Sequence, residues 1–507
     1  MKSAFLIAAP TSGSGKTTLA RGLMALFTQQ GHRVQPFKCG PDYIDTKFHE
    51  AVCHRPSINL DTFMASEEHV RELFRRYTQG GDDAPAWARE PADVAVVEGM
   101  MGLFDGYDRY HGSCADIARV LDLPIVLVVD ASSAAYSMAA ILHGFIDFFP
   151  DLRFAGVIYN KVGSPRHAAM LREVATEVGI ACLGCIPKQA ALIQGSRYLG
   201  LDFSEHTQDE QLIRTLQENI DWQTLLQNTS IREGQHVYTQ TPTRLYVNAD
   251  TSIRIFVARN AESFSFIYQE TLDLLQSLGD VEFFDPEDPT DPPPALPVRE
   301  GGDPPPALPV REGAECCNPS SCLLPAKETA PSLTGRAGGG SAGSAGSAGS
   351  AGSVLYLPGG YPEKHLEALV KAEGMRRFIR DFAEAGGRII AECGGMMYLC
   401  REIITDEGTY PMCGVLPYSI TARQADRRLS LGYRQFTLDD HMFRGHEFHY
   451  TRFAEPQPAS DVQVLNAKGE PVPTAVLRQG NIIASYTHLS PSDIVQAVKL
   501  LENNAQE

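Results

Sequence analysis

Ala9-Pro-Thr-Ser-Gly-Ser-Gly-Lys-Thr-Thr18 lies between a short apolar run, Ser3–Ala9, and a helical pattern, Thr17–Gln29. A glycine-rich turn at that place presents backbone N–H groups, and the helix N-terminus adds positive potential, so the stretch predicts a phosphate-binding loop. Gly13 and Gly15 allow the turn, Lys16 is placed to reach terminal phosphates, Thr17 to ligate Mg²⁺, and Thr18 is counted with them as nucleotide-binding. The spacing departs from the usual pattern. Pro10 stands where the first Gly would be, and counted from Ala9 five residues precede Gly15, one more than usual.

Working outward, Val94–Glu98, Ile125–Asp130, Ala155–Asn160 and Ile180–Ile186 read as further buried strands, with a helical pattern at Arg166–Val178. Near-continuous apolar strands separated by helices imply an α/β fold with a parallel sheet covered on both faces. The N-terminal apolar stretch is short and runs straight into the loop, so it reads as a buried strand and not as a secretion signal. A polar helical stretch continues to about Gln227, and a second set of strands begins at Ile253–Ala258.

The composition changes between Pro286 and Ser353. A twelve-residue repeat, DPPPALPVREGG then DPPPALPVREGA, starts at Asp291 and Asp303, and four Ser-Ala-Gly triplets fill Ser341–Gly352. Such a segment buries too little apolar surface to offset its ordering entropy. Globular patterning resumes at once with Val354-Leu-Tyr-Leu-Pro-Gly-Gly, so the segment is an insertion within a domain. The expected organisation is therefore a first unit over 1–228, a second over 229–285 plus 354–507, and a disordered insertion over 286–353.

The 507 residues suffice for several domains, and a hydrophobic content of 43% supports real cores. The formal net charge of −18 argues against a nucleic-acid binder, and no apolar run of 18 residues exists to span a membrane. The 11 cysteines make neither a disulfide framework nor a metal set. Cys182 and Cys185 form one unmatched CxxC that reads as core thiols, and Cys316, Cys317 and Cys322 fall in the insertion. A cytoplasmic enzyme is the resulting expectation.

Four carboxylates lie where a Mg²⁺–phosphate site needs them. Asp42 and Asp45 belong to Lys38-Cys-Gly-Pro-Asp-Tyr-Ile-Asp45; Glu98 ends a strand, and Asp105 follows in the loop Gly99–Gly106. Carboxylates at the carboxyl ends of parallel strands face the ligand crevice of such sheets, and hard oxygen donors suit Mg²⁺. Asn160 and Lys161, ending another strand, are candidates to hold the nucleotide base.

A second centre is read in Arg388-Ile-Ile-Ala-Glu-Cys-Gly-Gly-Met-Met397. A strand entering a helix through a Cys flanked by Gly is elbow geometry, which exposes Cys393 as a nucleophile. The helix N-terminus is expected to lower the thiol pKa, and Gly394, with Gly359 and Gly360 of Pro358-Gly-Gly-Tyr-Pro362, to supply oxyanion donors. His488 is the leading general base; His446 and His449 rank behind it as substrate contacts or structural groups.

These segments resemble the cobyrinic acid a,c-diamide synthase family of glutamine amidotransferases. The resemblance is carried by Phe37–Asp45 (FKCGPDYID), Glu98–Gly106 (EGMMGLFDG), Ser196–Leu201 (SRYLGL), Pro358–Glu363 (PGGYPE), Ala391–Leu399 (AECGGMMYL), Arg444–Tyr450 (RGHEFHY) and Ala484–Leu489 (ASYTHL). It covers nearly the whole chain apart from the insertion. It implies an N-terminal dethiobiotin-synthetase-like ATP domain, a branch that shares the longer phosphate loop, and a C-terminal class I glutaminase domain. By this resemblance, Cys393 and His488 would release ammonia from glutamine through a γ-glutamyl thioester. ATP·Mg²⁺ would phosphorylate a carboxylate of cobyrinic acid, which ammonia then amidates. Asp42, Asp45, Glu98 and Asp105 would serve that site, with Thr17, Asp45 and Glu98 on the metal and Tyr43 and Ile44 touching the tetrapyrrole. Many class I glutaminases carry a Glu two residues after the His. Here that position is Ser490, so a Cys–His dyad is expected. Nickel-sirohydrochlorin and hydrogenobyrinate remain open as substrates, and a MinD/ParA-like ATPase switch as another class. Small molecules are the expected partners, and a homodimer is left open.

Overall fold

Successive side chains of β1 (Ser3–Ala8) point to opposite faces and feed two cores: Ala4, Leu6 and Ala8 enter one, Phe5 and Ile7 the other. That two-sided burial is what the unbroken apolar runs require. The computed structural model describes residues 1–188, 206–231, 253–290, 352–454 and 456–503. Ser196–Leu201, the repeat, the Ser-Ala-Gly triplets and Cys316, Cys317 and Cys322 lie outside the described residues.

The first sheet adds β2 (Val34–Cys39), β3 (Ile58–Leu60), β4 (Val94–Glu98), β5 (Ile125–Asp130), β6 (Phe154–Val162) and β7 (Cys182–Pro187). All strands are parallel, in the order β3-β2-β4-β1-β5-β6-β7. One face is covered by the helix Lys16–Gln29 through Leu19, Leu23, Met24 and Phe27, the other by Glu67–Gln79 and Pro165–Val178. Cys185 is buried on β7, whereas Cys182 is half-buried, with its Sγ 4.0 Å from that of Cys185.

The chain returns to β1 later than the expected boundary at 228. Ala4 N–H donates to Thr229 C=O at 3.1 Å and Ile231 N–H to Lys2 C=O at 3.1 Å, so Thr229–Ile231 still belong to the first unit.

The second sheet contains β8 (Ile253–Ala258), β9 (Gly279–Phe284), β10 (Ser353–Leu357) and β11 (Arg388–Glu392). Smaller strands follow: β12 (Glu402–Ile404), β13 (Thr409–Pro411), β14 (Ser419–Thr421), β15 (Ser430–Leu438), β16 (His441–His449), β17 (Arg452–Phe453) and β18 (Leu465–Asn466). Then β19 (Val476–Gln479), β20 (Ile482–Ser485) and β21 (His488–Leu489) complete the described set. The main sheet runs β19-β20-β11-β10-β8-β9, parallel except for β19. The remaining strands form two four-stranded sheets, β13-β12-β14-β17 and β18-β15-β16-β21.

The edges of the expected insertion also move. Ser353 is buried in β10, and Glu287 Oε1 accepts hydrogen bonds from Ser263 Oγ and, at 2.9 Å, from Asn260 Nδ2. Pro286–Thr290 is therefore tied into the second unit; composition misjudged it because its polar side chains are consumed by local partners.

The two units meet across polar and aromatic contacts. Tyr77 OH donates to Asp273 at 2.6 Å, Tyr433 OH donates to Asp61 at 2.7 Å, and His69 Nε2 lies 2.6 Å from Glu270. Among the described residues no helix is long and apolar enough to cross a membrane.

Candidate active sites

The phosphate loop turns where the sequence places its glycines, at Gly13 (φ 80°) and Gly15 (φ 95°). Gly15 is doubly required, because a Cβ there would lie 2.3 Å from Asn160 Nδ2. Asn160 donates to Ser14 C=O at 2.9 Å, and Lys161 Nζ reaches Gly13 C=O at 3.1 Å and Asp130 at 2.6 Å. Both side chains thus brace the loop. Lys16 Nζ donates to Met101 C=O at 2.5 Å and Thr11 C=O at 3.3 Å, which links the loop to the segment after β4. Thr18 is half-buried in the first helical turn.

Three of the four carboxylates gather around a residue that sequence reasoning gave no role, Lys38 at the end of β2. Its Nζ lies 2.5 Å from Asp45, 2.8 Å from Glu98 and 3.8 Å from Asp42. Burial opposes the ammonium, yet Glu98, Asp45 and Asp42 together raise its pKa above the ordinary lysine range. Glu98 is fully buried; burial pushes its pKa up, but Lys38 and His49 outweigh that and hold it well below the usual carboxylate range. Its Oε1 also accepts from Thr17 Oγ1 at 2.6 Å, and its Oε2 meets His49 Nε2 at 2.6 Å. His49, four residues after Asp45 on the helix Asp45–Cys53, is the second missed residue; that spacing puts both on one helix face. Asp42 Oδ1 accepts the Ile44 and Asp45 N–H groups, both at 2.9 Å, and so starts that helix. Asp105 stands apart from the cluster: it is exposed and accepts Gly102 N–H at 2.9 Å.

Thr17, Asp45 and Glu98 fit the requirement of Mg²⁺, which takes one or two protein oxygens and completes its shell with phosphate and water. The described residues hold no cluster of three or more His, Cys, Asp or Glu that could cage a metal alone.

In the other unit, β11 enters the helix Gly394–Leu399 through Cys393 at φ 45° and ψ −108°, an unusual conformation for a side-chain-bearing residue. Gly394, which follows it, packs closely on Gly360, and Gly359 packs on His488. A Cβ on Gly394 would lie 2.8 Å from Gly360 C=O and 3.0 Å from its N, and one on Gly359 would lie 2.1 Å from His488 Cε1. The expected lowering of the thiol pKa is outweighed. Burial pushes the Cys393 thiol up, Glu363 adds to the rise, and the Gly394 N–H offsets only part of it. Burial likewise holds His488 well below the ordinary imidazole value, which favours its neutral form.

The three histidines differ in what they leave free. His446 Nδ1 is 3.3 Å from Tyr268 OH, and His449 Nδ1 is 2.7 Å from Thr451 C=O. Of the three, only His488 has both ring nitrogens buried without a hydrogen-bond partner among the described residues.

Tyr43 joins the centres. Its backbone lies between Asp42 and Asp45, while its buried ring stacks on Phe266 (5.1 Å) and Tyr268 (4.4 Å) and sits 5.3 Å from the His488 ring. Phe266 and Tyr268, in the loop after β8, were not singled out by sequence; no local signal marks them. Ile44 is half-buried beside Tyr43.

Comparison with known proteins agrees with this two-centre plan. Residues 5–198 match the CobQ/CobB/MinD/ParA nucleotide binding domain, and residues 342–493 the CobB/CobQ-like glutamine amidotransferase domain. A hydrogenobyrinate a,c-diamide synthase of Stutzerimonas stutzeri is 36% identical over 505 residues, covering 98% of each chain. Another from Brucella abortus is 34% identical, covering 96% of this chain and 98% of its own. A cobyrinate a,c-diamide synthase of Caldanaerobacter subterraneus is 32% identical, covering 98% of this chain and 96% of its own. With a nucleotide-type loop in one unit, a cysteine elbow in the other, and relatives matched over nearly their full lengths, the chain belongs to the a,c-diamide synthase family of glutamine-dependent ligases.

Proposed function

We propose that the chain converts the a and c acetate carboxylates of cobyrinic acid to amides, consuming ATP and glutamine. The observation that carries this reading is the meeting of the two centres at Tyr43, whose backbone sits in the carboxylate cluster and whose ring packs on His488. In the second unit, Cys393 attacks the glutamine amide carbon as His488 takes the thiol proton. The backbone N–H groups of Gly360 and Gly394 receive the developing oxyanion. Ammonia leaves, and water hydrolyses the thioester to glutamate.

In the first unit, the backbone around Gly13 and Gly15, with Lys16 and Thr18, cradles the phosphates of ATP, while Asn160 and Lys161 hold that loop in shape. Thr17, Asp45 and Glu98 would hold Mg²⁺, which neutralises phosphate charge during transfer. Asp42 orders the loop, Asp105 orders the segment after β4, and Tyr43 and Ile44 face the substrate. Lys38 keeps the acidic cluster from repelling an anionic substrate. The carboxylate becomes an acyl phosphate, ammonia displaces phosphate, and an amide results.

The names of the relatives make hydrogenobyrinate a specific second substrate. Mass spectrometry of each corrinoid after incubation with enzyme, ATP, Mg²⁺ and glutamine separates the two. Two successive exchanges of hydroxyl for amino on cobyrinic acid support the leading reading. Turnover of hydrogenobyrinate alone would replace it, and turnover of neither would overturn both.

A further inference from the structure

Ser490 occupies the position where an acid could orient the His488 imidazole, but its hydroxyl lies 3.1 Å from Ser492 Oγ. With both His488 nitrogens unpartnered among the described residues, the ring must be placed by other means.

Two hydrogen bonds bracket the base, and both come from the end of β11. Cys393 N–H donates to Ser485 C=O at 2.7 Å, and Leu489 N–H donates to Glu392 Oε1 at 2.8 Å. Between these anchors, Tyr486 and Thr487 carry the chain from β20 in the main sheet to β21 in a small one, where His488 pairs with His446 of β16. Glu392 is itself fixed, because Tyr356 OH on neighbouring β10 donates to its Oε2 at 2.8 Å. The rest of β11 is apolar at Ile389, Ile390 and Ala391, all buried. A carboxyl buried at the end of such a strand costs free energy unless its hydrogen bonds are satisfied, and an ordinary strand end has no need of it. Here one oxygen captures the N–H next to the base, and the carboxyl belongs to the residue next to the nucleophile.

We infer that Glu392 is a positioning residue for glutamine hydrolysis: by holding Leu489 N–H it sets where His488 stands relative to Cys393. The inference rests on reading Cys393 and His488 as the glutaminase pair. It assigns to the strand end a task that the missing acid at position 490 leaves open.

The test is steady-state glutamine hydrolysis beside amidation driven by ammonium salts. Glu392→Leu should lose about 100-fold in kcat, the usual consequence of a base displaced by about 1 Å, with the KM for glutamine little changed. Its ammonia-driven amidation should match wild type. Glu392→Gln should rescue hydrolysis, since the amide oxygen accepts Leu489 N–H and the amide nitrogen donates to Tyr356. If Glu392→Leu fails to fold, seen as loss of the ammonia-driven reaction too, Tyr356→Phe replaces it and should lower kcat several-fold at unchanged KM. A folded Glu392→Leu or a Tyr356→Phe protein with wild-type kcat overturns the inference. So does a Gln variant as impaired as the Leu variant. A wild-type chain that hydrolyses no glutamine overturns the glutaminase reading itself, a result that no variant is needed to see.

Discussion

Replacing Lys38 by Met keeps most of the side-chain length and removes the charge at the centre of the carboxylate cluster. Lys38 and Glu98 are both fully buried, with Nζ 2.8 Å from Glu98 Oε1. At an effective dielectric of about 20, that attraction alone is about 6 kcal/mol. Desolvation offsets much of it, and removing one member of a buried pair typically costs about 3–5 kcal/mol. Thr17 and His49 remain to hold the two Glu98 oxygens, so the lower figure, about 3 kcal/mol, is the one to expect. For a unit of this size that lowers the midpoint of thermal unfolding by about 6–12 °C. The assay is simplified by the chain's 2 tryptophans, Trp87 and Trp222, which both lie in the first unit, so intrinsic fluorescence reports that unit's unfolding. Ammonia-driven amidation should be lost as well, since the substrate would meet three uncompensated carboxylates. A loss below about 1 kcal/mol, the size of an ordinary surface change, would refute the view that Lys38 holds these carboxylates ionised.

Cys393→Ser should abolish glutamine-dependent amidation and spare the ammonia-dependent reaction, read by amide formation with each nitrogen source. Asp45→Asn and Glu98→Gln should abolish both; survival of the ammonia reaction in both variants would displace the acid cluster from catalysis. Tyr43→Ala removes the ring between the centres. It should cost about 3 kcal/mol of stability and raise the glutamate formed per amide, whereas Tyr43→Phe, which keeps the stack, should leave that ratio alone. An unchanged ratio in the Ala variant would separate Tyr43 from ammonia transfer.

What could be read in advance was local. The phosphate loop, the carboxylates at strand ends and the Cys393 elbow each occupy one short stretch in which chain order mirrors geometry. β2 escaped because Gln35, Pro36 and Lys38 break its apolar run. The fold tolerates them by giving the Gln35 amide the carbonyls of Pro36 and Pro56, each at 3.0 Å, and by giving Lys38 carboxylate partners up to 60 residues away. The thiol expectation failed for a similar reason. A helix N-terminus is a local feature, while what overrides it is burial in the packed core together with the negative charge of Glu363, which is distant in sequence. Which histidine is free to accept a proton also depends on partners such as Tyr268 and Thr451, which no spacing within Arg444–Tyr450 reveals.

Glu392 links this folding argument to a pH dependence. Burial pushes its carboxyl from the ordinary 4.5 up to about 8, against the hydrogen bonds from Leu489 N–H and Tyr356. The native state therefore keeps a proton that the unfolded chain gives up above about pH 4.5. The associated stability is fully present below that pH and is lost as pH rises toward 8. The gap between those two values corresponds to at most about 5 kcal/mol. Around it, Tyr43, Tyr268, Tyr356 and Cys393 are all shifted upward, out of the window. His446 (about 3) and Glu447 (about 2) titrate below it, and burial holds His488 well below the ordinary imidazole value. Asp493, raised to about 6 by burial, titrates inside the window but is common to both proteins and cancels in a comparison. Urea unfolding followed by circular dichroism from pH 5 to 8.5 should thus show wild type losing stability relative to Glu392→Gln as pH rises. Parallel curves would mean that the carboxyl is ionised throughout. The sign also bears on catalysis. A carboxylate beside the base would draw His488 toward the imidazolium, whereas a protonated Glu392 leaves the imidazole neutral and able to accept the Cys393 proton.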